Sequence, residues 1–165
     1  MIVKNDFIGE VSYEENEIIQ FQKGILGFES YSKFILVENV DPQFPFSWLQ
    51  CIEEEHIAFI LTSPFLFVSE YDFDIPDDVI KSLNIDAIDD VTILSMVVIP
   101  EDPKETTINL KSPIVFNNKT KIAQQVILED DFDLKHKIFE KEASWYAYIN
   151  EETKRKYYYK WKYWN

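Results

Sequence analysis

The feature that most constrains this chain is a rhythm of short apolar runs cut by turn residues. Phe7-Ile8-Gly9-Glu10-Val11-Ser12-Tyr13 alternates apolar with small or polar residues, the period of a half-buried strand. Residues 18–21 follow an acidic turn, Glu14-Glu15-Asn16-Glu17, and the two runs predict a first hairpin. Further strand-length runs cover 34–37, 48–52, 57–61, 91–99, 106–110, 114–116 and 123–128. Asp41-Pro42, Phe44-Pro45, Ser63-Pro64, Pro100-Glu101-Asp102-Pro103 and Asn117-Asn118-Lys119-Thr120 separate them with turn chemistry. Many short strands punctuated this way imply an all-β, compact, barrel-like or sandwich domain.

One helix interrupts the pattern. Pro76 suits a first turn, Asp77 and Asp78 suit the positive helix end, and Val79, Ile80 and Leu83 share one face. Asn84 can close it, which predicts a short helix lying on the sheet. Gly24-Ile25-Leu26-Gly27-Phe28 predicts a tight turn with an apolar tip tucked inward. Residues 64–68, Pro64-Phe65-Leu66-Phe67-Val68, are apolar at consecutive positions. Either both faces of that segment are covered or one forms an exposed groove.

Charge narrows the function. The chain carries a net −14. Every carboxylate lies at or before Glu152, so residues 1–153 hold −19 and the last twelve hold +5. A body that acidic repels phosphate backbones and attracts basic proteins, so direct nucleic-acid binding by the main domain is not expected. Three glycines leave no phosphate-cradling loop. No run is long enough to span a bilayer and no signal-peptide pattern opens the chain, which reads as cytoplasmic.

Catalytic chemistry finds little support. The single cysteine, Cys51, sits in an apolar strand and reads as a core residue, although a thiol nucleophile paired with His56 is the sharper alternative. Asp72 and Asp74 share one face of Tyr71-Asp72-Phe73-Asp74-Ile75-Pro76 and could hold a hard cation, with a histidine completing a hydrolase site. The calcium-loop spacing is missing, and a solvated acidic face is the plainer reading. No catalytic, metal or cofactor residue is therefore expected, and the chain reads as a non-enzyme.

The composition breaks after Phe139. Residues 145–164 hold nine aromatics, and in Tyr157-Tyr158-Tyr159-Lys160-Trp161-Lys162-Tyr163 aromatics and lysines alternate from Tyr159 onward. As a strand, Tyr159, Trp161 and Tyr163 share one face and Lys160 and Lys162 the other. The division expected is a domain over 1–139 and an extension over 140–165, a hairpin or helix packed on it. Two uses of the extension are open: a nucleic-acid or membrane-surface binding module, or a segment packed on the barrel with its lysines against acidic surface.

The order of motifs resembles the FliW family. The resemblance rests on Phe7-Ile8-Gly9-Glu10-Val11, Phe21-Gln22-Lys23-Gly24-Ile25-Leu26-Gly27-Phe28-Glu29 and Pro45-Phe46-Ser47-Trp48-Leu49-Gln50. It continues through Ala58-Phe59-Ile60-Leu61-Thr62-Ser63-Pro64-Phe65, the 71–76 segment and Val98-Ile99-Pro100-Glu101-Asp102-Pro103. Residues 107–117 and 124–128 complete it. It covers 1–138 and leaves 140–165 as an extension. The family resemblance implies a mostly β barrel without catalytic activity. It also implies two competing protein partners in the cytoplasm: flagellin, and the small basic translational repressor CsrA. Free of flagellin, such a protein sequesters CsrA, which couples flagellin synthesis to secretion. Charge and exposure lead us to expect CsrA around Glu70, Asp72, Asp74, Glu101 and Asp102, and flagellin around Phe65, Phe67 and Tyr71. No direct nucleic-acid or membrane contact is expected of the domain.

Overall fold

The computed structural model describes residues 1–5, 9–38 and 45–139. The extension expected at 140–165, and the Phe7-Ile8 and Asp41-Pro42 motifs, lie outside the described residues. The chain runs β1 (Ile2–Asn5), β2 (Gly9–Ser12), β3 (Ile19–Phe21), β4 (Lys33–Val37), β5 (Ser47–Cys51) and β6 (Ala58–Thr62). Helix α1 (Asp77–Ser82) follows, then β7 (Val91–Val98), β8 (Thr107–Ile108), β9 (Ile114–Asn117), β10 (Ile122–Gln125) and β11 (His136–Lys137).

Strands β3 to β7 pair in sequence, each antiparallel to the next. Strand β10 pairs parallel to β3 and antiparallel to β9. The N-terminal half of β7 then pairs with β9, from Val91↔Asn117 to Leu94↔Ile114, and the ring closes at seven strands. The C-terminal half of β7 carries β8 and β11 as a flap beside the barrel. The strongly β, barrel-like reading with one short helix is the architecture observed.

Strand alternation builds two cores from one wall. Residues pointing inward, among them Phe21, Phe34, Leu49, Cys51, Leu61, Ile114 and Phe116, fill the barrel. Phe21 meets Phe34 edge-on at 5.1 Å, and Phe28 meets Phe59 at 5.0 Å. Their neighbours point outward. Trp48, Val97, Ile108, Leu110 and Val115 join Tyr71, Val79 and Leu83 in a second core outside the wall. One-residue alternation therefore explains why the strands read as nearly continuous apolar runs.

Helix α1 forms as expected. Asp77 and Asp78 occupy its first turn, and Val79 and Leu83 are buried against the outer core. Asn84 takes φ 53 and ends it. The Asn117 side chain then donates to Leu83 O at 2.9 Å and Asn84 O at 3.0 Å, tying the helix end to β9. Its Oδ1 also accepts from Lys119 N, so the expected turn at 117–120 is present.

Several expectations are corrected. The hairpin between 7–13 and 18–21 does not form: β2 pairs with β1, and β3 enters the barrel wall. Ile19 and Phe21 are deeply buried whereas β2 is largely exposed, so burial takes β3 away. Residues 64–68 are covered on one side only, with Pro64 buried and Phe65 and Leu66 exposed. Pro64–Leu66 is a 3-10 turn, with Phe67 N and Val68 N donating back to Pro64 O, because Pro64 has no N–H for a ladder. The 24–28 turn is half right: Ile25 is buried, but Leu26 is exposed. The run over 106–110 contributes only Thr107–Ile108 as strand.

Candidate functional site: a ridge between two hollows

The segment from Tyr71 to Ile75 is an extended ridge on the outer core. Tyr71, Phe73 and Ile75 turn inward and Asp72 and Asp74 outward, as the alternation of 71–75 requires. Tyr71 anchors it. Its ring lies 5.8 Å from Phe65, 5.2 Å from Phe73 and 4.8 Å from Phe132, and its hydroxyl donates to Leu110 O at 2.7 Å. Burial pushes the Tyr71 phenol well above its usual pKa, with the Ser95 hydroxyl opposing, so it stays a donor at any physiological pH.

A hollow lies on each side of the ridge. One, of about 810 Å³, is bordered by Asp72, Asp74, Asp78, Glu129 and Asp130 and by residues 124–128. The other, of about 840 Å³, has an apolar floor that includes Phe73, Ile75, Ile80, Ile85 and Ile93. Phe65 stands at its edge, 53% exposed, and Ile88 at the other end is 76% exposed. Asp72, Asp74, Asp77 and Asp86 rim this groove. Asp72, Asp74 and Asp77 are exposed and have no cationic partner among the described residues.

The structure therefore brings together Phe65, Tyr71, Asp72 and Asp74. Tyr71 supports the surface from beneath, being 3% exposed, and presents no face of its own. Phe67 is half-buried and stacks on Phe46 at 6.4 Å, also a supporting position. Glu70 is exposed on the turn before the ridge. Glu101 and Asp102 line neither hollow; Asp102 accepts from Lys104 N and caps the 3-10 turn Pro103–Glu105. Sequence reasoning missed Ile80, Ile85 and Ile88, and the meeting of Glu129 and Asp130 with Asp72. Ile88 left a signal: an apolar residue set between Asp86 and Asp89-Asp90 buries nothing within its own segment.

Cys51 is fully buried in the barrel, and burial raises its thiol pKa, so it is held neutral and away from solvent. His56 is on the surface, 3.8 Å from the Glu55 carboxylate. Among the described residues no group of three His, Cys, Asp or Glu side chains could hold a metal ion. Among them, too, no helix is long and apolar enough to cross a membrane.

Fold and surface define a class: a small closed β-barrel with a packed interior, whose open hollows lie outside the wall. Comparison with known proteins makes the class specific. The family model described as FliW protein matches residues 2–138. The flagellar assembly factor FliW of Alkaliphilus metalliredigens is 40% identical over 141 residues, covering 85% of this chain and 87% of that protein. That of Caldicellulosiruptor bescii is 41% identical over 140 residues, covering 84% and 91%. A crystal structure of the flagellar assembly factor FliW superposes with a TM-score of 0.80 at 28% identity, covering 87% of this chain and all of that one. The chain belongs to the FliW family of flagellar assembly factors.

Proposed function

We propose that this protein works by being occupied: it binds flagellin in the cytoplasm and, when free of it, binds and antagonises the translational repressor CsrA. It acts as a chaperone and regulator without turnover, and flagellin synthesis follows secretion through the exchange of partners. Family membership across 2–138 is the observation that carries this reading. The surface supports it physically. An apolar groove edged by Phe65 suits an apolar segment of a filament subunit that is still unassembled. The carboxylates of Glu70, Asp72 and Asp74, backed by Glu129 and Asp130, set up a negative field suited to a cationic repressor. Glu101 and Asp102 add charge outside the two hollows.

Calorimetric titration of the full-length protein with flagellin and with CsrA from the same cell tests the reading. Submicromolar binding of each is expected, with the CsrA complex weakened by added salt and the flagellin complex much less so. Absence of both complexes at micromolar concentrations would overturn it.

A further inference from the structure

From the groove and from the sequence beyond Phe139, we infer that the apolar groove between the 71–75 ridge and Ile88 is the docking site of this chain's own C-terminal segment, residues 157–164. The groove combines an apolar floor with an aspartate rim, and three of those aspartates lack a cation among the described residues. The segment Tyr157-Tyr158-Tyr159-Lys160-Trp161-Lys162-Tyr163-Trp164 carries the complementary pair of properties, aromatic bulk and positive charge. Aromatic side chains supply large apolar area for the floor, and lysine ammoniums complete the rim. A floor that leaves Phe65 and Ile88 open to water is stabilised by any such cover.

Reach is not limiting. The eighteen residues from Phe139 to Tyr157 span up to about 60 Å when extended, whereas a domain of this size has a radius of gyration of about 14 Å. The chain also leaves from the correct side, since Ile138 and Phe132 pack on the same outer core that floors the groove, Phe132 directly against Tyr71. Occupancy in cis makes the groove self-covered: any partner that uses it must first displace the segment. The inference concerns the groove's resident occupant and stands whether or not flagellin is that partner.

A photo-cross-linker tests it in the full chain. Ile88→p-benzoylphenylalanine places the probe at one end of the groove, and Ala87→p-benzoylphenylalanine repeats it from an exposed neighbour. Irradiation is expected to give intrachain cross-links that map to residues 157–164 by mass spectrometry, with a yield independent of protein concentration. The cross-links should be lost in about 1 M salt, where screening is nearly complete, and lost in K160E/K162E. Cross-links to other segments only, or exclusively between chains when isotopically labelled and unlabelled protein are mixed, would overturn the inference. Cross-links to 157–164 that persist in both high salt and K160E/K162E would support the docking and assign it to the aromatic side chains rather than to the lysines. No flagellin or CsrA is present in this experiment, so its failure leaves their binding untouched.

Discussion

The two cores of this molecule share the same strands and differ in how completely they are closed. Inside the barrel, Phe34, Cys51, Leu61 and Val115's inward neighbours Ile114 and Phe116 are enclosed by a ring of hydrogen-bonded strands that has no free edge. Outside, the wall is covered by a six-residue helix, a 3-10 turn and the 71–75 ridge. Such pieces cannot tile a surface completely, and Phe65, Leu66 and Ile88 remain exposed. Closure makes the first core stable; incomplete closure makes the second available. A barrel of this size keeps an open apolar surface because its cover is assembled from segments too short to bury themselves.

Substitutions separate the two. The largest effect is expected inside: Phe34→Ala empties a fully buried position that contacts Phe21 and Phe59, and should cost about 3–5 kcal/mol. Urea denaturation monitored by circular dichroism reads this as a lower midpoint at unchanged slope. At the junction, Asn117→Ala removes the bonds to Leu83 O and Asn84 O and the turn bond from Lys119 N. About 1–3 kcal/mol should be lost, and hydrogen exchange should show α1 opening more readily while barrel amides keep their protection. Equal loss of protection in both regions would show that helix and barrel open as one unit.

How much of this was legible in the sequence follows the same division. The barrel wall was readable because local pattern and tertiary burial agree there: the runs over 34–37, 48–52 and 91–99 look like strands, and strands occupy Lys33–Val37, Ser47–Cys51 and Val91–Val98. Helix α1 was readable from Pro76, Asp77 and the Val79 and Leu83 spacing. Pairing was not. Gly9–Ser12 has the right alternation for a hairpin with Ile19–Phe21, but a seven-stranded ring needs β3 between β4 and β10, and that demand is set by residues a hundred positions away. Residues 64–68 misled because consecutive apolar residues suit a two-sided strand and a turn wedged on a core equally well. Of the residues that exposure and charge pointed to, folding brings Phe65, Asp72 and Asp74 to the two hollows, whereas Tyr71 and Phe67 are supports. Ile80, Ile85 and Ile88 were missed because they join Phe65 only through folding.

Alkaline pH sharpens the contrast by a smaller margin. Cys51 belongs to the inner core and Tyr71 to the outer, and burial raises both pKa values above the ordinary 9.0 and 10.0. In the unfolded chain each group loses its proton near its ordinary value, while the native protein keeps it. Above those values the native state therefore binds more protons, and stability falls as pH rises; below about pH 9 neither group contributes. Cys51→Ala should flatten the decline from pH 9 upward, and Tyr71→Phe only from pH 10 upward. Denaturant titrations across that range check both onsets.

The smallest effect on stability is expected at the groove's edge, and it is the one that tests the division of labour most directly. Phe65→Ser removes a ring that is half in water and touches Tyr71 at one side. Its cost to folding should stay within about 0.5 kcal/mol, the range of surface changes. If the outer hollow is a docking surface, the same change should weaken flagellin binding at least about tenfold, equivalent to about 1.4 kcal/mol. The ratio of the two effects decides the matter. A substitution that costs binding more than folding marks a surface kept for a partner. If Phe65→Ser instead destabilises the fold by several kcal/mol and leaves binding unchanged, the outer core is an ordinary core with a worn edge, and the difference between the two sides of the barrel wall is only one of coverage.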